Sequence, residues 1–204
     1  MHHEADALGG LLAGGYSIGY RGARIAPSPP KPAISVTLAS VLQSFLRDDT
    51  DVVMVGEIRD AETARTAIQA AMTGHLVLST IHTNDAPSAV VRLMDMGIED
   101  YLVASTLSAV FAQRLVRRLC RNCGGQGCET CGGEGYQGRL AIAEGFAVED
   151  AVRKSIQTGL NEADFRESLI GQGYRPMLLE GQDRITSGDT TEAEVRRTVG
   201  WTAS

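Results

Sequence analysis

The chain of 204 residues has the composition of an ordinary soluble globular protein, with 43% hydrophobic and 22% charged residues. Its net charge of −6 argues against the basic surface that nucleic-acid binding requires and against strong attraction to anionic lipid. No apolar run approaches the roughly 20 residues that cross a bilayer, and the N-terminus lacks the basic and apolar regions of a signal peptide. We therefore expect a cytoplasmic protein with no nucleic-acid partner and no membrane span.

Residues 1–34 are rich in glycine, and four prolines follow between positions 27 and 32. Proline and glycine interrupt both helices and strands, so a regular element is not favoured here. The apolar residues 7–13 are interrupted by glycine and are too few to predict a strand. We interpret residues 1–34 as a linker or a poorly determined N-terminal segment.

The pattern then changes to that of an α/β protein. Residues 36–46 have the apolar spacing of an amphipathic helix, and residues 51–55 form a short β-branched run typical of a buried strand. A helix capped by Asp60 is predicted to end at Gly74, and residues 75–81 have the pattern of a second buried strand. A strand, a helix and a strand within about 30 residues predict a βαβ unit with two parallel strands.

The second half of the chain is predicted to be mainly helical. A short helix is predicted over residues 87–94 and a longer one over residues 101–118. Residues 148–199 predict several short helices, and Thr191 and Glu194 have the spacing of a capping box for the last of them. The longer helix carries three arginines that could contact a neighbouring subunit, but a solvated helix face is favoured: Arg114, Arg117 and Arg118.

Polar side chains follow both predicted strands of the βαβ unit. Glu57 comes after the first strand and Gly56, and His82 comes directly after the second. Because ligands of open parallel sheets bind outside the carboxyl ends of the strands, both side chains project into one crevice if the strands are neighbours. There a carboxylate can orient or deprotonate a water, and an imidazole can contact a terminal phosphate. Position alone is also consistent with other roles for both residues. Glu57 could be a charge at the entry of the helix, paired with Arg59, and His82 could be a structural residue.

All four cysteines lie between positions 120 and 131, in a tandem repeat of Cys-x-x-Cys-x-Gly-x-Gly. Two such pairs supply four thiolates, the number that a structural tetrahedral zinc site needs. A thiol-exchange pair is the alternative, but one pair would suffice for exchange, so the doubling favours a metal. Four thiolates leave no open coordination position, which indicates a structural site that braces the C-terminal part or presents a surface to a partner. The predicted ligands are Cys120, Cys123, Cys128 and Cys131.

Two longer motifs resemble those of a known family. Residues 46–60, with the sequence LRDDTDVVMVGEIRD, closely resemble the signature of the type II secretion and type IV pilus-assembly ATPases, the GspE/PulE/PilB group. Residues 74–84, GHLVLSTIHTN, resemble the His box of the same family, and the similarity covers roughly residues 35–199. The resemblance implies an α/β fold with an incomplete RecA-like P-loop ATPase core, a zinc knuckle and a C-terminal helical subdomain.

The resemblance also implies roles for individual residues. The motif that matches the Walker B strand makes Glu57 the catalytic carboxylate, and the second histidine of the His box matches His82, which would contact the terminal phosphate. The implied cofactors are ATP with Mg²⁺ and Zn²⁺. The implied partners are identical subunits in a hexameric ring and an inner-membrane platform protein, which would hold the chain at the periphery of the inner membrane. The residues expected to border the nucleotide are Gly56, Arg59 and Thr83.

One part of the family's nucleotide site has no match in these 204 residues. A phosphate-binding loop has the pattern Gly-x-x-x-x-Gly-Lys-Ser/Thr, in which backbone N–H groups and the lysine hold the phosphates. The two lysines, Lys31 and Lys154, lie outside any such pattern, so the chain resembles the C-terminal half of the motor. Two hypotheses follow. The chain is part of an ATPase that powers pseudopilus or pilus assembly, or it is a truncated or degenerate, non-hydrolytic paralogue that acts as a zinc-stabilised interaction module.

Four regions are predicted along the chain. Residues 1–34 form the linker or N-terminal segment, and residues 35–119 form the partial ATPase core with the Walker B strand and the His box. Residues 120–139 form the tetracysteine zinc knuckle. Residues 140–204 form the C-terminal helical subdomain.

Overall fold

A five-stranded sheet with the strand order β2-β3-β1-β4-β5 organises the protein. The computed structural model describes residues 10–13, for which only the backbone is considered, and residues 51–200. Strands β1 to β4 are parallel to one another, and β5 is antiparallel to β4. The strands are β1 (Gly10–Ala13), β2 (Val52–Ile58), β3 (Leu76–Ile81), β4 (Ala109–Leu119) and β5 (Tyr136–Ala147).

Seven α-helices accompany the sheet within the described residues. They are α1 (Ala61–Met72), α2 (Ala86–Asp95), α3 (Asp100–Thr106), α4 (Asp150–Gln157), α5 (Glu162–Gly171), α6 (Met177–Thr186) and α7 (Glu192–Val199). The carboxylate of Asp60 accepts a hydrogen bond from the backbone of Thr63 and so caps the start of α1. Because α1 connects the neighbouring parallel strands β2 and β3, the predicted βαβ unit is confirmed. No helix in the described part of the chain is long and apolar enough to cross a bilayer.

Strand β1 lies in the middle of the sheet, paired with β3 on one side and β4 on the other. The prediction that residues 1–34 contain no regular element is therefore wrong for Gly10–Ala13. Four residues bounded by glycines carry too little alternation to identify a strand, and pairing on both sides satisfies their backbone groups. The remainder of residues 1–34 and the predicted helix over residues 36–46 lie outside the described residues.

The long helix predicted over residues 101–118 is only partly correct. Helix α3 ends at Thr106, and Ala109–Leu119 is the strand β4. This stretch contains good helix formers, with apolar residues three and four positions apart, so the local pattern favours a helix. Pairing with β1 and β5 overrides that preference, and the three arginines predicted on a helix face lie on this strand instead.

Strand β5 corrects one predicted domain boundary. It pairs with β4 from Ala147, opposite Ala109, to Tyr136, opposite Leu119. It therefore crosses the predicted boundary between residues 139 and 140, and residues 140–147 belong to the sheet. The cysteine segment joins the far ends of β4 and β5. The several short helices predicted over residues 148–199 are confirmed as α4 to α7.

One continuous hydrophobic core joins the sheet to helices α1 to α3 and to helices α4 to α7. Phe146 of β5 makes edge-to-face contacts with Phe165, at 6.1 Å between ring centroids, and with Tyr174, at 5.8 Å. Such pairs add to the stabilisation that burial provides. The C-terminal helices are consequently packed against the β4–β5 hairpin. Fully buried members of the core include Val55, Ile81, Val90, Val103, Val110, Ile142, Ile156 and Leu169.

Helix α7 is attached to β4 through a buried carboxylate. The hydroxyl of Thr191 accepts a hydrogen bond from the backbone of Glu194, but the Glu194 carboxylate does not complete the predicted capping box. With only 2% of its surface exposed, Glu194 accepts hydrogen bonds from the backbone and guanidinium of Arg117 and from Arg197. Hydrogen bonds from Arg197 and from Arg117 lower the pKa of Glu194 to about 2, although burial acts in the opposite direction.

The Glu194→Gln substitution should lower the free energy of unfolding by about 2 kcal/mol at neutral pH. This is less than the roughly 3–5 kcal/mol expected for a fully buried pair, because both arginines are partly exposed to solvent. Since the folded-state pKa lies below the ordinary value of 4.5, the stabilisation is complete above about pH 4.5 and is lost as the pH falls toward about 2. Urea denaturation of both proteins at several pH values measures the difference.

The control for this prediction is Glu192→Gln on the same helix. Glu192 pairs with Arg196 at the exposed surface, so its substitution should change the free energy of unfolding by less than about 0.5 kcal/mol. A difference between wild type and Glu194→Gln that stays constant between pH 7 and pH 2 would contradict the assignment of the stabilising charge to Glu194.

Candidate functional site

Strand β2 contains a β-bulge beside the predicted catalytic carboxylate. The pairing register advances three residues along β2, from Val55 to Ile58, while it advances only two along β3. Gly56 and Glu57 therefore stand opposite Thr80 alone, whose hydroxyl donates a hydrogen bond to the Gly56 carbonyl at 2.7 Å. Bulges of this kind redirect side chains and occur often next to active sites.

The bulge decides which side chains of β2 are buried. Val53 and Val55 point into the core, so regular alternation would bury Glu57 on the same face. The extra residue gives that position to Ile58 and leaves the Glu57 side chain 19% exposed at the carboxyl edge of the sheet. Gly56 has open space where a Cβ atom would stand, so a ligand can approach its backbone.

Glu57 and His82 meet at this edge, as predicted from their positions after neighbouring strands. His82 Nε2 lies 2.6 Å from Glu57 Oε1, and Arg59 Nε donates a hydrogen bond to Glu57 Oε2 at 2.6 Å. The imidazole is 70% exposed, whereas Oε1 is buried and has no well-aligned hydrogen-bond donor within the described residues. Glu57 thus has its Oε2 atom held by Arg59 and its Oε1 atom in contact with His82.

The carboxyl ends of three strands border the site. The register places Ile58 opposite Ile81, Ile81 opposite Ala13, and Ala13 opposite Ala112. Strands β2, β3 and β1 end near this level, whereas β4 continues for seven residues to Leu119. In open α/β sheets this edge is where ligands bind, next to the point where the strand order reverses.

The loop that carries His82, residues 82–85, is held by hydrogen bonds to its carbonyl groups. The hydroxyl of Thr83 donates to the Asp85 carbonyl at 2.9 Å. Arg114 Nη2, just beyond the sheet edge on β4, donates to the carbonyls of Thr83 and Asn84 at 3.1 Å each. Arg114 therefore anchors the loop, and the prediction that it lies on a solvated helix face is wrong.

Asp85 connects the same loop to two helices. Its carboxylate caps α2 by accepting hydrogen bonds from the backbone and hydroxyl of Ser88. It also accepts a hydrogen bond from Arg166 of α5 at 2.8 Å. Although burial acts in the opposite direction, the hydrogen bonds from Ser88 and Arg166 keep the pKa of Asp85 below its usual value. The loop is thereby joined to the C-terminal helices by an ion pair that is partly shielded from solvent.

The four cysteine sulfur atoms form a second candidate site, at the far end of the β4–β5 hairpin. They lie within 4.8 Å of one another, and three of the separations, Cys120–Cys128, Cys123–Cys131 and Cys128–Cys131, are 3.8 Å. A tetrahedral ion with metal–sulfur bonds of about 2.3 Å requires sulfur–sulfur separations of about 3.8 Å. The arrangement therefore fits one tetrahedrally coordinated metal ion such as zinc.

Two glycines allow the cysteine turns to approach each other. A Cβ atom on Gly127 would stand 2.6 Å from the Gly133 carbonyl oxygen, and one on Gly135 would collide with the Gly125 carbonyl. Both glycines also have positive φ angles, of 86° and 77°. Gly127 and Gly135 are thus required by close backbone contact between the two halves of the repeat.

The surroundings of the sulfur atoms favour thiolates at two positions. Backbone N–H groups of Cys128 and Gly135 point at the Cys131 sulfur and lower its pKa to about 6. A backbone hydrogen bond likewise lowers the pKa of Cys128, while burial raises the pKa of Cys120. N–H groups directed at a sulfur stabilise its anionic form, which is the form that binds metals.

The parallel sheet with its helices and the match to a solved pilus motor place the chain in the class of RecA-like P-loop ATPase folds. The incomplete ATPase core expected from the sequence is thereby confirmed as a fold class. The sequence profile of the family described as Type II/IV secretion system protein matches residues 18–197. The chain belongs to this family.

Curated relatives agree with this assignment. The chain is 49% identical over 172 residues to the Type II secretion system protein HxcR of Pseudomonas aeruginosa, a match that covers 80% of this chain and 37% of the relative. It is 40% identical over 191 residues to the Type IV pilus assembly ATPase PilB of Thermus thermophilus. That match covers 80% of this chain and 22% of PilB. The chain thus spans well under half the length of these relatives.

Solved structures show the same fold. The pilus retraction motor PilT with bound ADP superimposes with a TM-score of 0.63 at 28% identity, over 79% of this chain and 43% of PilT. The ATPase DotB of Yersinia pseudotuberculosis superimposes with a TM-score of 0.68 over 97% of this chain and 50% of DotB. Its sequence identity of 22% makes DotB evidence for the fold alone.

Two features of the first site were missed from the sequence. The bulge has a local signal in the sequence, because a glycine such as Gly56 within a strand pattern often marks one. Arg114 had none, because its role depends on the approach of β4 to a loop 30 residues earlier in the chain.

Proposed function

We propose that this chain forms one wall of the ATP site of a motor that powers type II secretion or type IV pilus assembly. The observation that supports this most is the 2.6 Å contact between Glu57 and His82 at the carboxyl edge of the sheet. The names of two relatives give it a context, since PilB is an assembly ATPase and PilT was solved with ADP. In this proposal Glu57 and His82 are the catalytic residues.

Each residue of the wall has a role that follows from its surroundings. The Glu57 carboxylate would orient and deprotonate the attacking water, while Arg59 holds its Oε2 atom and His82 contacts its Oε1 atom. The exposed imidazole of His82 would donate a hydrogen bond to the terminal phosphate. The proposed nucleotide contacts are Gly56, Arg59 and Thr83. The open space beside Gly56 would let a phosphate approach its backbone. When ATP binds with Mg²⁺, the metal supplies positive charge to the phosphates.

The finer assignments of partners and location also belong to the proposal. By family, six copies would form a ring in the cytoplasm, attached to the inner membrane through a platform protein. The phosphate-binding pattern is absent from these 204 residues, so the chain by itself is not expected to hydrolyse ATP. This favours, as a second candidate, a non-hydrolytic module that is stabilised by zinc and acts through its interactions.

We assign the cysteine centre to a structural Zn²⁺ ion held by Cys120, Cys123, Cys128 and Cys131. Four sulfur ligands leave the metal no open position for a substrate. A bound ion would hold the two knuckles together where β4 ends and β5 begins. It would thereby stabilise the hairpin on which α6 and α7 pack.

A chimera tests the catalytic role of Glu57. Residues 51–200 of this chain would replace the matching part of Thermus thermophilus PilB, to which the chain is 40% identical. We expect the chimera to hydrolyse ATP, and Glu57→Gln to lower its kcat roughly 100-fold or more with little change in KM, because a general base acts only in the chemical step. Phosphate release at saturating and limiting ATP separates the two constants.

The matched control in the chimera is Glu62→Gln, an exposed carboxylate in the first turn of α1. It should leave both constants unchanged. If Glu57→Gln turned over as fast as the parent chimera, Glu57 would not activate the water. A folded chimera that binds ADP without any turnover would favour the non-hydrolytic candidate instead.

Metal analysis tests the cysteine centre in the unaltered chain. Purified protein should contain about one zinc per chain, and a strong chelator should lower its Tm, because the metal links the two knuckles. Gly127→Ala should reduce the zinc content, since its methyl group would stand 2.6 Å from the Gly133 carbonyl oxygen.

Gly132→Ala is the control for backbone strain. Its φ angle of 63° is also positive, but a Cβ atom there meets nothing within 4 Å, so its zinc content should stay near that of wild type. Metal-free protein with four freely reactive thiols would show that the zinc assignment is wrong.

A further inference from the structure

Glu144 of β5 is a buried carboxylate, with 7% of its surface exposed, that binds the beginnings of two helices. Its Oε1 atom accepts a hydrogen bond from the backbone N–H of Ala86, the first residue of α2, at 2.6 Å. Its Oε2 atom accepts one from the N–H of Met177, the first residue of α6, also at 2.6 Å. The N–H groups of a first helical turn have no partner within the helix, and the helix dipole favours negative charge there.

The negative charge of Glu144 is balanced by these helix ends. No arginine, lysine or histidine forms an ion pair with it in the described part of the chain. Both helix ends are themselves buried, at Ala86 and Met177, so water does not replace the carboxylate. Helices α2 and α6 are therefore connected through one side chain.

The beginning of α2 determines where His82 can lie. Only residues 82–85 separate Ile81, which is fixed in the sheet, from Ala86, which is held by Glu144. Arg114 binds two carbonyl groups of this loop. The Asp85 carboxylate, bound by Arg166, fixes the end of the loop. A loop this short, with both ends attached, fixes the backbone from which the His82 side chain reaches the Glu57 carboxylate.

We propose that Glu144 is a positioning residue that holds His82 against Glu57 by fixing the beginning of α2. Because the same carboxylate holds α6, the position of His82 also depends on the C-terminal helices. Glu144 touches neither His82 nor Glu57 and acts through the backbone at Ala86. The inference rests on the proposed role of His82 in ATP hydrolysis, but its test measures structure and requires no turnover, so the two can fail separately.

The test compares wild type with Glu144→Gln by NMR at one fixed pH. The amide side chain of glutamine can accept one hydrogen bond, but its NH₂ group faces the second N–H donor. We expect hydrogen exchange at Ala86 or Met177 to become roughly tenfold faster, the effect of losing a charge-assisted hydrogen bond. The imidazole C–H resonance of His82 should shift in the same direction as in Glu57→Gln, which alters its contact partner directly.

Two controls separate positioning from general destabilisation. His75 lies at the opposite end of β3, bonded to Thr73 and Ala70, and its resonance in the same spectra should stay unchanged. Glu194→Gln alters another buried carboxylate that accepts a backbone N–H, but one with no contact to the His82 loop. It should destabilise the protein without shifting the His82 resonance.

Glu144→Asp provides a second variant if the glutamine variant folds poorly. It keeps the charge but withdraws the carboxylate by one methylene group, so it cannot reach both helix ends, and the same changes at Ala86 or Met177 and at His82 are expected. The proposal is overturned if folded Glu144 variants keep the His82 resonance of wild type, or if Glu194→Gln shifts it equally.

Discussion

Strand β4 is the element on which the other features of the protein depend, because its backbone pairs with two partners of opposite direction. Its first residues pair in parallel with β1, while nearly its whole length pairs antiparallel with β5. It therefore extends past the edge of the parallel sheet as half of a two-stranded ribbon. Such a ribbon is marginal alone in water, and here helices α6 and α7 pack on it while the cysteine turns close its end. Along one strand, Arg114 reaches the loop that carries His82 and Arg117 reaches α7, and Cys120 follows directly in the cysteine centre.

The bulge in β2 resolves a conflict between packing and chemistry. A strand that is buried on the helix side needs apolar residues at alternate positions, and unbroken alternation would turn Glu57 into that apolar layer. An uncompensated carboxylate there would be costly. One extra residue restores Ile58 to the core and brings Glu57 to the edge, while the Thr80 hydroxyl compensates the Gly56 carbonyl that the bulge removes from regular pairing. The same seven-residue strand thus contributes Ile58 to the core and Glu57 to the candidate site.

The parts of the structure that could be predicted from sequence are those determined by neighbouring residues. The βαβ unit, the approach of Glu57 to His82 and the cysteine repeat each arise within a short stretch, where periodicity, capping and ligand spacing are informative. The parts that were missed depend on distant partners. Strand β1 has four residues and is recognisable only once β3 and β4 flank it. The contact of Glu144 with Ala86 joins residues 58 positions apart, and no local pattern distinguishes Glu144 from a surface carboxylate.

The Glu144 contact has a mechanical consequence for the crevice. Removing a carboxylate from water is costly, and here two charge-assisted hydrogen bonds and two helix dipoles offset that cost. An apolar residue at this position would leave two buried N–H groups without partners, so it would not replace the carboxylate cheaply. Pulling the beginnings of α2 and α6 apart would expose the same charge to an apolar interior. The loop that carries His82 and helix α6 are therefore coupled through this one carboxylate.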